Sequence, residues 1–588
     1  MTRLITPRRF ALFASALAAM ALAAPERASA CGGFFCDSSQ PVNQQAERIV
    51  FAQEADGSVT AVIQIQYQGP SERFAWMLPV AGSPEISVSS DAAFQRLQQA
   101  SNPQYRLTTR VEGTCGGGPS RAFDSAGSPG GSADAGAADA GAPPVSVVDS
   151  GYVGPYDYII ISVDPSTPDV AETGIAWLQD NGYDVPSMGA EVLRPYLESG
   201  MNLLAFRLVK GNDAGSIRPV SLSFGPGLPS IPLRPTALAT QPDMGILVWV
   251  LGPSRAIPAN YRDLELNEAL INWLSPGSTY DAVVTRAANE AGGQGFVTEM
   301  AGAAAPLADV IWSEDEAARW AALRAETWTG REGELVFRIA ELAALDGVRE
   351  VLTAALTIPD GVSEDQFFAC LGCYVDASEA DLPGVEPAAL LDAVQADVID
   401  PMVDTRALFI ESPYMTRLYT TMSADEMTVD PIFDFNDTLG DYSNVHEAER
   451  IIECSPSISQ FEAPWRVELD ADTTVRGRGN TWPFDPDGGA MPANARVRRI
   501  GNTGEGEVIE DNTAAIAATL VEHNASVPGA PPASASGCSA SAASSRSALG
   551  FGFALAFGLG FFLLRRRGCC AAGPPSPCSP RRRSPRRV

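Results

Sequence analysis

Ile49-Val50-Phe51-Ala52-Gln53, then Asp56-Gly57, then Val59-Thr60-Ala61-Val62-Ile63-Gln64-Ile65-Gln66-Tyr67-Gln68, is the stretch that decides the fold. Asp-Gly between two apolar runs is a strong type I′ turn signal, so the runs read as the arms of a hairpin. In the second arm Val59, Ala61, Ile63, Ile65 and Tyr67 alternate with Thr60, Gln64, Gln66 and Gln68. That period of two predicts a half-buried strand with one wet face. Phe74 to Val80 reads as a third strand of the same meander.

Upstream, residues 1–30 have the layout of a secretion signal. Arg3, Arg8 and Arg9 are the basic start, Phe10 to Ala24 the apolar run, and Ala28-Ser29-Ala30 the small residues before a cleavage site. The apolar run is short for a bilayer, so cleavage between Ala30 and Cys31 is expected rather than a retained anchor. Cys31 would then open the mature chain. The position three residues before it is Ala28, not the Leu of a lipoprotein signal, which favours a structural cysteine. Gly32 and Gly33 would let Cys31 bend back to Cys36.

Downstream, residues 116–150 are dominated by Gly, Ala, Ser, Asp and Pro and read as a flexible insertion. Tyr158 to Val163 predicts a buried strand. Thr167-Pro168 then opens a helix carrying Ile175, Trp177 and Leu178, and a second helix covers Ala190 to Glu198. Strands are expected at Leu203–Val209, Val220–Phe224, Leu233–Leu238 and Ile246–Leu251. From residue 265 the periodicity turns helical. Ser313 with Glu316, and Ser363 with Gln366, make capping boxes. Helices are expected at Glu334–Leu345 and Pro387–Val398, strands or turns at Ala407–Phe409, Thr416–Thr421 and Val429–Phe435, and short strands from Trp465 to Ile509. Sheet and helix segregate, which predicts an α+β class: an antiparallel β-rich domain over 31–264 and a mainly helical region over 265–523.

The formal net charge is −30, and loss of residues 1–30 and 539–588 would take it to −42, because those ends carry thirteen arginines and one glutamate. A surface so acidic repels phosphate, which argues against nucleic acid as a partner. Lys210 is the only lysine. Of ten cysteines, Cys31, Cys36, Cys115, Cys370, Cys373 and Cys454 lie in the body and are disulfide candidates. Cys370-Leu371-Gly372-Cys373 would sit at the C-terminal end of its helix. There the dipole disfavours a thiolate, so a structural disulfide is expected over a redox pair. Zinc would need two further ligands, and no second such pair accompanies this one.

There are two histidines, His446 and His523. His446-Glu447 does not continue into a zinc-protease motif, and His523 borders a spacer and is expected at the surface. No phosphate-cradling or dinucleotide loop is present. The acidic run Asp425, Glu426, Asp430, Asp434, Asp437 and Asp441 fits no EF-hand spacing and reads as a solvated loop. No catalytic residue, metal site or cofactor is therefore expected.

Residues 524–547 read as a flexible spacer rich in Ala, Ser and Pro. Ala548 to Leu564 gives seventeen uncharged residues before Arg565-Arg566-Arg567. At 1.5 Å per residue such a helix is roughly 25 Å long, close to a bilayer core. The arginines would hold residues 565–588 in the cytoplasm and leave the body outside.

Two stretches resemble known families. Cys31 to Cys36, Pro41-Val42-Asn43-Gln44-Gln45-Ala46-Glu47-Arg48 and Trp76-Met77-Leu78-Pro79-Val80 resemble a bacterial family of exported proteins, domain of unknown function 2330. So do Trp177 to Tyr183, Tyr196 to Gly200 and Ile231 to Ala237. That resemblance implies export and a fold but no reaction. Gly537-Cys538, the apolar run and the arginine cluster resemble the myxobacterial C-terminal sorting domain, which implies processing near Cys538 and attachment there. The chain departs from that pattern by continuing from Gly568 to Val588.

The sequence thus predicts an exported envelope protein held at the membrane or cell surface by the apolar helix or a processed Cys538, with a structural or binding role and an envelope or extracellular protein as partner. The alternative is an exported hydrolase working through a carboxylate pair.

Overall fold

In the computed structural model the hairpin lies inside a ten-stranded sheet. The structure describes residues 36–37, 40–41, 43–68, 75–116, 145–183, 189–208, 217–238, 240–379 and 382–527. Across the sheet the strands are Glu507–Asp511, Asn494–Arg499, Arg262–Leu266, Gly295–Ala303, Tyr414–Met422, Thr240–Gly252, Asn43–Gln53, Val59–Gln68, Val220–Phe224 and Glu85–Val88. Thr240–Gly252 runs parallel to Asn43–Gln53, and Arg262–Leu266 parallel to Gly295–Ala303, so the sheet is mixed. The class is a mixture of helix and sheet, as expected. The division at 264/265 does not separate two bodies, because strands from both sides of it interleave in this sheet.

The hairpin turn differs from the two-residue form expected. Glu54 N donates to Ser58 O and Gly57 N to Glu54 O, each at 2.9 Å. Ala55, Asp56 and Gly57 thus form a three-residue loop, and Gly57 takes a φ of 86°, which only glycine adopts without strain.

Neither face of the hairpin is wet among the side chains described, Thr60 and Gln64 being buried. Ile49, Phe51, Ala61 and Ile63 point into one core, with Ile246, Val248 and Val250 beside them. Val50, Ala52 and Val62 point into another, with Leu247, Trp249 and Leu251. Alternation along each strand supplies both sets. The first core is closed by a four-stranded sheet, ordered Ala75–Val80, Asn202–Leu208, Tyr156–Val163, Val145–Val153, and by the helices Val170–Asp180 and Gly189–Glu198. The second is closed by a helical layer between Ala305 and Glu411. Gln64 is tolerated there because it bonds Asp91 at 2.5 Å and Arg48 at 3.0 Å.

Several local expectations are corrected. Ala75–Val80 belongs to the four-stranded sheet and not to the hairpin's meander, since Thr240–Gly252 and Val220–Phe224 occupy the hairpin's free edges. Residues 145–150 of the expected insertion are strand, paired with Tyr156–Val163. Leu233–Thr236 is helical, because Pro235 cannot donate to a ladder but fits a first helical turn. The helix after Thr167 starts only at Val170, behind Asp169. The Pro387 helix passes through a π-turn at Gln395–Ile399 into Asp400–Glu411, which absorbs Ala407–Phe409. Both capping boxes form. The expected spacer starts late: residues 524–526 are the end of the Thr513–Ser526 helix, and Asn524 Nδ2 donates to Thr474 O at 2.7 Å.

A third sheet, ordered Thr474–Arg478, Pro464–Glu468, Val445–Glu453, Gln104–Glu112, packs Trp465, Trp273 and Trp482 against the Thr513–Ser526 helix. Its last two strands are parallel. No helix among the described residues is long and apolar enough to cross a membrane. Residues 1–30, Cys31, Cys538 and the apolar run at 548–564 lie outside the described residues.

Candidate binding cleft

The end of the third sheet and the edge of the large sheet enclose a cavity of about 1000 Å³. Its walls are built from short local devices. Asn267 accepts from Ala269 N at 3.1 Å and so caps the turn that presents Glu268. The parallel register sets Tyr105 opposite His446, so their rings stack at 4.6 Å. Tyr105 in turn meets Trp273 edge-on at 5.0 Å. His446 Nδ1 lies 2.6 Å from Glu268 Oε1. An imidazole that donates Nδ1–H to this carboxylate keeps Nε2 as an acceptor, and Nε2 has no partner among the described residues.

Most of the other charged groups of the cavity are also matched, Arg255, Asp470 and Asp472 being without an ion-pair partner among the described residues. Arg498 pairs with Asp263 at 3.1 Å and Arg496 with Glu265 at 2.7 Å. The Asp263 and Glu265 side chains project from the same face of their strand, where the antiparallel register puts Arg498 and Arg496 opposite them. Glu299 takes the Tyr280 hydroxyl at 2.5 Å and Arg417 Nε at 2.5 Å. Arg417 continues to Ser101 Oγ and Asn102 Oδ1, both at 2.8 Å. Tyr105, Tyr280 and Glu299 form a partition, behind which lies a smaller cavity of about 440 Å³ lined by Arg48, Asp281, Arg417 and Tyr419.

Burial, and after it the charges of Glu268 and Asp263, pushes the Tyr442 phenol up to about 12. Tyr105 is raised further, by burial first and then by Glu268. Both remain hydrogen-bond donors at neutral pH. The two carboxyls pushed furthest toward neutrality do not line the large cavity. Burial alone raises Glu47 to about 7, and burial foremost raises Asp91 to about 6.

The cysteine candidates fall in three places. Cys115 is bonded to Cys454, with Cα atoms 4.8 Å apart, just beyond the paired ends of the strands that carry Tyr105 and His446. Cys370 is bonded to Cys373, with Cα atoms 5.4 Å apart, at the C-terminal end of the Glu364–Ala369 helix. Cys31 lies outside the described residues, as does the Cys36 side chain. Loop closure predicts unequal weights. The first bond spans 339 residues and the second 3. Replacing Cys115 and Cys454 by serine should cost about 4–5 kcal/mol, and replacing Cys370 and Cys373 about 2 kcal/mol. Urea midpoints of the two double variants check the order.

His523 is half-buried rather than fully at the surface: its Nε2 donates to Arg476 O at 2.9 Å and its ring packs on Phe484, because the Thr513–Ser526 helix turns that side of the ring toward the fold. The acidic run is dispersed: Asp430 accepts from Tyr196, Asp441 from Tyr414 and Glu426 from Ser423 N. Among the described residues no three His, Cys, Asp or Glu side chains are grouped to hold a metal. Sequence reasoning singled out His446 by its rarity and passed over Glu268, Tyr105, Tyr442, Arg255 and Glu299. No local pattern marks these, since each meets its partner only through the tertiary fold.

No curated protein matches the chain, and no solved structure matches it. A family model does match, over residues 25–326. That span includes Tyr105, Arg255, Glu268 and Glu299, and stops short of Arg417, Tyr442 and His446. The chain belongs to this family, described as uncharacterised proteins conserved in bacteria, domain of unknown function 2330.

Proposed function

We propose that the protein is an exported, surface-anchored envelope protein that binds a ligand in the cleft between its large sheet and its third sheet. The signal-like start, the Gly537-Cys538 stretch and the apolar run before Arg565 support export and attachment. The observation that carries the binding reading is the pairing of four of the cleft's six carboxylates: Asp263, Glu265, Glu268 and Glu299 each already hold a cation, an imidazole or a phenol, while Asp470 accepts backbone amides in the turn before Thr474–Arg478, with Asp472 beside it. Such groups orient and recognise a ligand, and a large, partly apolar cleft with a few fixed polar groups is the usual form of a binding site.

A hydrolase with two carboxylates would need one of them protonated and free beside the other. Glu47, raised to about 7, lines only the smaller cavity, where Glu299 is already held by Arg417 and Tyr280. Asp91, raised to about 6, is tied to Gln64, and its neighbour Asp346 accepts Ser90 Oγ and the amides of Asp91 and Ala92. The test is native mass spectrometry of the full chain purified from its own cells. A retained small molecule, lost in Ala495→Trp whose new side chain fills the cleft, is the expected result. An empty cleft in both proteins, with no melting shift in either from envelope extracts, counts against the reading.

A further inference from the structure

We propose that the ligand is a monoanionic carboxylate with an apolar body, its carboxylate held by Arg255. This rests on the reading of the cleft as a binding site. Three arginines line the cleft. Arg496 and Arg498 are matched by Glu265 and Asp263, whereas Arg255 has no carboxylate partner among the described residues. Its one hydrogen bond is from Nη1 to Gly440 O, at 3.3 Å. A guanidinium with unfilled donors is suited to grip a carboxylate by two of its N–H groups.

The phenols in the row beside Arg255 are also donors, with His446 between them. Its guanidinium lies 5.5 Å from the centre of the Tyr442 ring. Tyr442 meets His446 edge-on at 6.4 Å, and His446 stacks on Tyr105. The two phenols of this row have no hydrogen-bond acceptor among the described residues. The negative charge of the body disfavours a ligand with more than one negative charge, which sets a carboxylate ahead of a phosphate monoester.

The apolar body follows from the opposite wall. Ile516, Leu520 and Val521 of the Thr513–Ser526 helix line the cleft with Leu469, beside Asp470 and Asp472, whose charge adds to the preference against a second negative group on the ligand. That helix packs on Thr474–Arg478, the far edge of the third sheet from Gln104–Glu112, which carries Tyr105. Three strand spacings separate those edges, roughly 14 Å. A ligand reaching from the donor row to the helix is therefore elongated, polar at one end and apolar at the other.

The test is calorimetric titration of the full chain with octanoate, octylamine, octyl phosphate and acetate. Octanoate should bind at least tenfold more tightly than any of the others. Arg255→Gln should lose that advantage while melting as the parent does, and Arg255→Lys should recover part of it. Equal affinity for octanoate and octylamine, or octanoate binding unchanged in Arg255→Gln, overturns the proposal. Tighter binding of octyl phosphate overturns the choice of carboxylate. If octylamine binds and Ala495→Trp abolishes it, the cleft is a binding site and only the assignment to Arg255 fails. If no probe binds, both fail.

Discussion

Replacing Arg417 with alanine should lower the free energy of unfolding by about 3–5 kcal/mol, read as a fall in the urea midpoint. Arg417 and Glu299 are both buried, with side chains 4% and 1% exposed. Without the guanidinium, Glu299 keeps only the Tyr280 hydroxyl, and a charge stays behind in a medium that solvates it poorly. Ser101 and Asn102 lose a donor each, and Trp249 loses the cation lying 5.5 Å from its ring centre. The pair also joins the Tyr414–Met422 strand to the end of the Asp91–Ser101 helix, so its loss loosens the partition between the two cavities. Replacing both partners together, Arg417→Met with Glu299→Gln, should cost less than Arg417→Ala alone, because no bare charge remains. A cost under about 1 kcal/mol for Arg417→Ala would mean that the pair is solvated in solution.

Glu47→Gln should stabilise the protein at pH 8 by as much as about 3 kcal/mol. Glu47 is 6% exposed, and its Oε2 is buried without a partner. Burial alone raises its carboxyl from 4.5 to about 7. The folded state thus holds this proton more tightly than the unfolded state does. The contribution of this carboxyl is largest below about pH 4.5, falls as pH rises through the window to about 7, and then levels off as the carboxylate is charged in both states. Glutamine has no proton to lose there. Its variant should lack that decline and keep those of the other raised carboxyls, foremost Asp91, whose carboxyl burial raises from 3.8 to about 6, with Asp404 and Glu426 raised as well. Urea midpoints of parent and variant at pH 4.5, 6 and 8 check this. A parent-to-variant difference that does not grow between pH 4.5 and 8, or a variant no more stable at pH 8, contradicts it.

What could be read from the sequence was local. The hairpin, the Ser313 and Ser363 capping boxes and the Cys370–Cys373 bond each depend on residues within a few positions of one another. The wet face expected of Val59–Gln68 fails at Thr60 and Gln64, because a glutamine looks the same in solvent as in a buried network. Gln64 is 5% exposed, and Asp91 and Arg48 satisfy it from elsewhere in the chain. Ala75–Val80 has the composition of a strand, but composition does not say which edge it joins. The cleft was hidden for the same reason. His446 meets Glu268 across 178 residues and Cys115 meets Cys454 across 339, and neither separation leaves a periodic trace. The extent of the large sheet was hidden too, since its strands come from both sides of residue 265.

Protease treatment of intact cells, followed by mass spectrometry without reduction, tests the central claim most directly. Release from the outer surface of a chain beginning at Cys31, with the Cys115 and Cys454 peptides still joined, is the result expected of an exported and attached protein. Recovery of the uncut 588-residue chain from the cytosol, with both thiols free, would contradict it.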